Sequence, residues 1–206
     1  MKIVNRDVEL VDKLPYNYLL HIVEKAARNC YQSQSKSQDV EPFIKSLIKS
    51  GHLSPIEFAE IVFKVTCDRG TSHQLVRHRL MSVSQASTRY CNYSKEQFGN
   101  EISVIVPCGI DNSTYSIWRA SCLAAEAAYF TLLDYKVKPE VARSVLPHST
   151  ATTLYVKMNM REVRHFLKLR LDKHAQADIR DIAHKLLDIL HSEYPIFVED
   201  IWGDAI

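Results

Sequence analysis

Glycine is scarce in this chain. Five occur in 206 residues, where average usage gives about 14. They stand apart, at Gly51, Gly70, Gly99, Gly109 and Gly203. This excludes a Gly-x-Gly-x-x-Gly turn and a Gly-Lys-Ser/Thr loop, so neither a Rossmann dinucleotide loop nor a Walker cradle can form. Any phosphate must be held by side chains. Long apolar runs are missing too. The longest run without Asp, Glu, Lys or Arg is residues 144–156, whereas a spanning helix needs about 20 apolar residues. The first seven residues lack the apolar stretch of a secretion signal. The five cysteines form no Cys-x-x-Cys, and the nine histidines form no His-Glu-x-x-His. They predict reduced thiols in a cytoplasmic protein and no metal centre. A net charge of +2 is too balanced for coating nucleic acid, and nothing points to a membrane.

What is present predicts a single domain over residues 1–206. Residues 2–11 alternate loosely as a strand. Leu19, Leu20, Val23, Ala26 and Ala27 carry helical spacing over 16–30. A second helix is expected over 41–50, with Pro42 in its first turn and Gly51 past its end. Strands are expected over 58–67, 102–106 and 151–158. Helices are expected over 72–78, 114–135, 140–146, 161–171 and 175–194. The polar stretch 32–38 reads as a mobile loop. Strands and helices do not alternate in a βαβ rhythm. The fold class is therefore α+β, with a central, largely antiparallel or mixed sheet flanked by long helices.

Three clusters carry chemistry. Residues 74–90 hold Arg77, Arg79 and Arg89 among His78, Gln74, Gln85 and several hydroxyls. Guanidinium forks match phosphate oxygens, though a solvated helix end reads equally well from these residues alone. The run from Gly51 to Glu57 reads first as a helix start, with Ser54 as cap, Pro55 at the first position and Glu57 at the third. On a helix over 161–171, Arg161, His165 and Lys168 share one face. Arg170 borders the packed face, where it needs an anionic or carbonyl partner. His184 and His191 read as structural residues.

Together these clusters resemble one family, the flavin-dependent thymidylate synthases. The family signature, Arg-His-Arg then seven residues then Ser, is matched by Arg77-His78-Arg79 and Ser87, with Arg89 two residues on. Upstream are Ala26-Ala27-Arg28, Cys30-Tyr31, and His52-x-Ser54-Pro55-x-Glu57. Downstream are Ala142-Arg143 to Leu146-Pro147, Asn159-x-Arg161, Phe166 to Arg170, and His174-Ala175-Gln176. The resemblance is collinear over about residues 22–200.

The resemblance implies methylation of dUMP to dTMP, with carbon from methylenetetrahydrofolate and hydride from FAD that NADPH has reduced. It implies a homotetramer with sites shared between subunits. By position, dUMP would meet Gln74, Arg77, Gln85, Ser87, Arg89, Arg143 and Arg170, with Ala86 and Thr88 contributing mainly backbone groups. Arg170 would be the catalytic residue, a cation that stabilises a developing uracil anion. Ser87 is expected to orient substrate rather than attack it. FAD would meet His52, Ser54, Glu57, Arg77, His78, Arg79, Gln85, Asn159, Arg161, His165 and His174. The chain departs from the common family pattern at Ser84-Gln85, where Asn-Glu is frequent, at Phe58 and at His165. The same scaffold suits a hydroxymethylase that does not reduce the transferred carbon. A nucleic-acid-binding module is the alternative from another class.

Overall fold

The computed structural model describes residues 1–35 and 37–205, and it is α+β. The chain runs β1 (Lys2–Ile3), β2 (Asp7–Leu10), α1 (Tyr16–Asn29), α2 (Glu41–Lys49), β3 (Glu60–Asp68), α3 (Arg69–Leu75), β4 (Met81–Gln85), β5 (Ser103–Val104), α4 (Tyr115–Asp134), α5 (Pro139–Ala142), β6 (Ala151–Asn159), α6 (Met160–Arg170), α7 (Ala177–Glu193) and α8 (Glu199–Ala205). A four-stranded sheet has the order β2-β3-β6-β4, and β1 pairs in parallel with β5. The described chain divides into two compact units: Met1–Asp7, Val65–Arg77 and Ser84–Leu154 form the first, and Val8–Lys64, His78–Val83 and Tyr155–Ile206 the second.

In the second unit the helical periodicity of the sequence is spent on one core. Helix α1 buries Leu19, Leu20 and Val23, α6 buries Val163, Phe166 and Leu167, and α7 buries Ile182, Leu186 and Leu190. Asn159 starts α6 by accepting the Glu162 N–H at 2.9 Å, a cap worth about 1 kcal/mol. Gly51 follows α2 with φ +77°, the left-handed position that favours glycine after a helix. Arg164 is buried, yet its charge is met. It donates to both Asp200 oxygens, at 2.7 and 2.6 Å, and to the Phe197 carbonyl at 2.6 Å.

The first unit packs Ile102, Val104 and Ala142 around Cys122 and Tyr129 of α4. Asp68 caps α3, its Oδ1 accepting the Thr71 N–H at 2.8 Å and its Oδ2 the Thr71 hydroxyl at 2.7 Å. That cap starts the helix at Arg69, three residues before the expected start.

Other differences have local causes. Residues 2–11 are two strands in two sheets rather than one. Residues 55–58 form a 3-10 turn before β3, and Ser54 makes no side-chain cap bond there. The helix expected over 140–146 is a single turn, Pro139–Ala142, continued as 3-10 over Arg143–Val145 and ended before Pro147. Strand β4 and helix α8 were not expected. In the loop expected over 32–38, Lys36 lies outside the described residues. All five cysteines are free. No described helix is long and apolar enough to cross a membrane.

Candidate functional site

The residues expected to hold substrate gather in the first unit, apart from Arg170. Beyond the end of β4 the chain turns tightly. Ser87 Oγ accepts the Arg89 N–H at 3.2 Å, and its carbonyl accepts the N–H groups of Tyr90 and Cys91. This places Arg89 near Arg143, a residue 54 positions away. Arg89 Nε donates to the Glu140 carboxylate at 3.0 Å, while Arg143 Nε donates to the Glu140 carbonyl at 3.2 Å. Arg143 Nη1 also donates to Thr88 Oγ1 at 3.2 Å, so Thr88 engages through its side chain. The Ala86 N–H is donated to the Thr153 carbonyl. Gln85 spends its amide N–H groups on the hydroxyls of Ser72 and Thr152, at 2.9 and 3.3 Å. Gln74 is half-buried near the end of α3, and Arg77 is exposed.

Sequence reasoning missed part of this site. A cleft of about 300 Å³ brings Arg143, Thr88 and Ser144 together with Arg69, His73 and His148. Four basic side chains line it, and no acidic one. Arg69 Nη1 is buried without a hydrogen-bond partner, which leaves a donor unsatisfied. His73 and His148 meet edge to face at 6.0 Å. The signal available in the sequence was Arg69-Gly70 beside the Asp68 cap, but only folding brings residues 143–148 to it.

The residues expected to meet a flavin gather in the second unit, apart from Arg77 and Gln85. A cleft of about 530 Å³ is lined by Glu57, Arg79, Leu80, Asn159, Arg161 and His165, together with Glu162. A neighbouring cleft of about 370 Å³ includes His52, Ser54 and Tyr31 and shares Arg161. Arg161 donates to Glu57 at 2.6 Å. His174 lines neither cleft; its ring nitrogen Nδ1 lies 2.8 Å from Asp172.

Arg170 ends α6, and one of its partners is an imidazole. Its Nε donates to His78 Nε2 at 2.9 Å. The His78 ring is buried, with Phe166 edge-on at 5.0 Å. Burial, then the Arg170 cation and His165, push this histidine down to about 4. On its other side Nδ1 lies 3.4 Å from the buried carboxylate of Glu162. That distance looks like an ion pair, yet the lowered pKa makes the ring neutral. The ring is neutral, because a guanidinium can only donate and Nε2 must therefore keep its lone pair. Burial also raises the Glu162 pKa. His78, Glu162 and His165 bring three potential ligand atoms within 4.8 Å of one another, but the Arg170 cation on His78 disfavours a metal ion there.

Residues 10–196 match the family described as thymidylate synthase complementing protein. The chain is 34% identical over 189 residues to a flavin-dependent thymidylate synthase of Geobacter sulfurreducens, spanning 86% of this chain and 80% of that one. It is 36% identical over 153 residues to a flavin-dependent thymidylate synthase of Pyrococcus furiosus, spanning 73% and 62%. Among solved structures, a UMP/dUMP methylase, PolB from Streptomyces cacaoi bound with 5-Br UMP, is similar with a TM-score of 0.78 and 26% identity over 98% of this chain and 96% of that one. With a family match across nearly the whole chain and a shared α+β fold, this enzyme belongs to the flavin-dependent thymidylate synthases.

Proposed function

We propose that the enzyme methylates dUMP to dTMP, with methylenetetrahydrofolate as carbon donor, FAD as hydride carrier and NADPH as reductant. The observation that carries this reading is the convergence of Arg89 and Arg143 on Glu140, beside a cleft with four basic and no acidic side chains and an unpartnered Arg69 nitrogen. A nucleotide monophosphate brings about two negative charges, and guanidinium forks bind such oxygens at two points. Ser87 and Gln85 would orient the nucleoside, Gln85 through the carbonyl oxygen opposite its committed N–H groups.

Arg170 would stabilise negative charge developing on the uracil ring, which makes C5 nucleophilic without an enzymic thiol. The buried cysteines agree with this. Burial pushes the Cys67 thiol up to about 12 and also raises Cys122, so neither is a thiolate at neutral pH.

The second set of residues suits FAD by donor chemistry. Arg79 and Arg161 are exposed on the cleft wall, and Leu80 is 74% exposed beside them. The two guanidiniums, with His52 and His165, would hold the pyrophosphate, and Leu80 would cover a flat ring. When bound, FAD supplies the hydride that turns the transferred carbon into a methyl group. Side chains thus take the place of the absent glycine loop.

We further propose a single functional domain working in the cytoplasm as a homotetramer. Helix α4 buries only Cys122 and Tyr129 over 20 residues, while Ile117, Tyr135 and Val141 stand exposed. This apolar surface suits contact with further copies.

The likeness to PolB favours one second reading, UMP in place of dUMP. Purified protein should be yellow, should bleach on adding NADPH with dUMP, and should yield dTMP by mass spectrometry. Lack of FAD binding on titration overturns the proposal. So does 5-hydroxymethyl-dUMP as sole product, or methylation of UMP alone. Tight, salt-sensitive nucleic-acid binding by a colourless protein would establish the binding-module alternative.

A further inference from the structure

We propose that Glu162 is a positioning residue: through the His78 imidazole, it holds the Arg170 guanidinium in the orientation that the reaction needs. The proposal rests on the reading of Arg170 as the group that faces the uracil. Its starting point is a carboxyl group in an unexpected place. Asn159-x-x-Glu162 is a capping-box sequence, in which the glutamate should reach back to the backbone N–H of the cap residue, Asn159. Only half of the box forms. Asn159 caps α6, whereas the Glu162 carboxylate, 3% exposed, turns inward to His78 Nδ1 at 3.4 Å. Burying a carboxyl group is costly without compensation, so its placement calls for a role beyond capping.

The chain of contacts supplies one. Arg170 Nε–H needs an acceptor, and His78 Nε2 provides it at 2.9 Å. A neutral imidazole accepts at one nitrogen only when its proton sits on the other. The proton is then on Nδ1, the atom facing Glu162. At 3.4 Å the contact is longer than a formed hydrogen bond, so the carboxyl group biases the tautomer by attracting the proton to the nearer nitrogen, and that tautomer makes Nε2 an acceptor. Phe166 packs edge-on against the ring at 5.0 Å and limits its rotation. With Nε held in this way, the guanidinium at the end of α6 is fixed by one edge. Without Glu162 the proton is free to move to Nε2, and two donors would then face each other across the contact with Arg170.

Two variants and one spectrum test this. Glu162→Gln keeps a carbonyl acceptor for Nδ1–H. Glu162→Met fills the same space without an acceptor. The Met variant should lower kcat for dUMP by about 10²-fold, the scale of a small misplacement of a reacting group, with KM for dUMP and FAD content within about twofold of wild type. The Gln variant should recover kcat to within about threefold of wild type, as expected when hydrogen-bond geometry is restored. Nitrogen NMR of His78 should show the Nδ1–H tautomer in wild type and the Gln variant, and a shift towards Nε2–H in the Met variant. A wild-type Nε2–H tautomer overturns the proposal whatever the activity. So does a Met variant with wild-type kcat and tautomer, which leaves dUMP methylation standing. A protein that neither binds FAD nor converts dUMP defeats the functional reading instead, and the tautomer measurement still decides whether Glu162 controls His78.

Discussion

Replacing Arg170 with alanine should separate chemistry from folding. Two known terms contribute to the cost to the fold. Arg170 is the last residue of α6, where a cation stabilises the helix end by about 0.3–1 kcal/mol. Its removal also leaves His78 Nε2 without the donor now 2.9 Å away, which costs about 1–3 kcal/mol for a buried acceptor. The sum, about 1–4 kcal/mol, falls below the 5–15 kcal/mol or so that holds a typical domain together. The cost to chemistry is larger. Loss of a fixed donor at a developing anion typically lowers kcat by about 10²–10³-fold. Arg170→Lys keeps the charge but not the Nε edge that meets His78, so it should fall between wild type and alanine. Initial rates of dTMP formation, circular dichroism melts and flavin absorbance can be measured on the same preparations. An alanine variant that folds, binds FAD and turns over within about threefold of wild type would refute this reasoning, because a transition-state contact cannot be lost so cheaply.

Two further outcomes are expected. Asp200→Ala should destabilise the protein by about 3 kcal/mol in urea melts, because Arg164 is left buried with only the Phe197 carbonyl; a loss under about 0.5 kcal/mol would contradict the role given to this pair, being the scale of an ordinary surface change. His78 makes stability acid-sensitive. Its unfolded ring takes a proton near 6.5 and its folded ring only near 4, so the stability present above pH 6.5 is lost as pH falls from 6.5 to 4, by about 3 kcal/mol in all. Glu162, shifted upward by burial, opposes this, since acid relieves the strain of its buried charge. Melts of wild type and His78→Asn across that range should show a shallower slope in the variant, and equal slopes would show that the ring is not held neutral.

Much of the helical framework could be read in advance because one face of each long helix is buried. Leu19, Leu20 and Val23, or Ile182, Leu186 and Leu190, recur at the helical period and lie in one core. The spacing of apolar residues is sufficient evidence for such elements. Strand β4, Met-Ser-Val-Ser-Gln, gave no such signal: it lies at the end of the sheet order and none of its residues is fully buried, so no alternation marks it. The Ser54-Pro55-Glu57 run carried the signature of a helix start, but the chain leaves the turn after four residues to enter β3.

The sequence by itself determined the chemical character of the site. Five isolated glycines ruled out a backbone cradle, and the arginine and histidine clusters supplied its replacement. The collinear motifs pointed to the family before any contact was known. Only the tertiary structure decided which side chains meet. It joined Arg89 to Arg143 through Glu140, added Arg69 and His148 to the basic cleft, and gave Arg170 an imidazole partner 92 residues away. It also set Glu162 at the far side of the His78 ring. The physical reason is distance along the chain. Periodicity and capping act over a few residues and are written locally, whereas a tautomer or a shared anion site depends on groups that only folding brings within hydrogen-bonding reach.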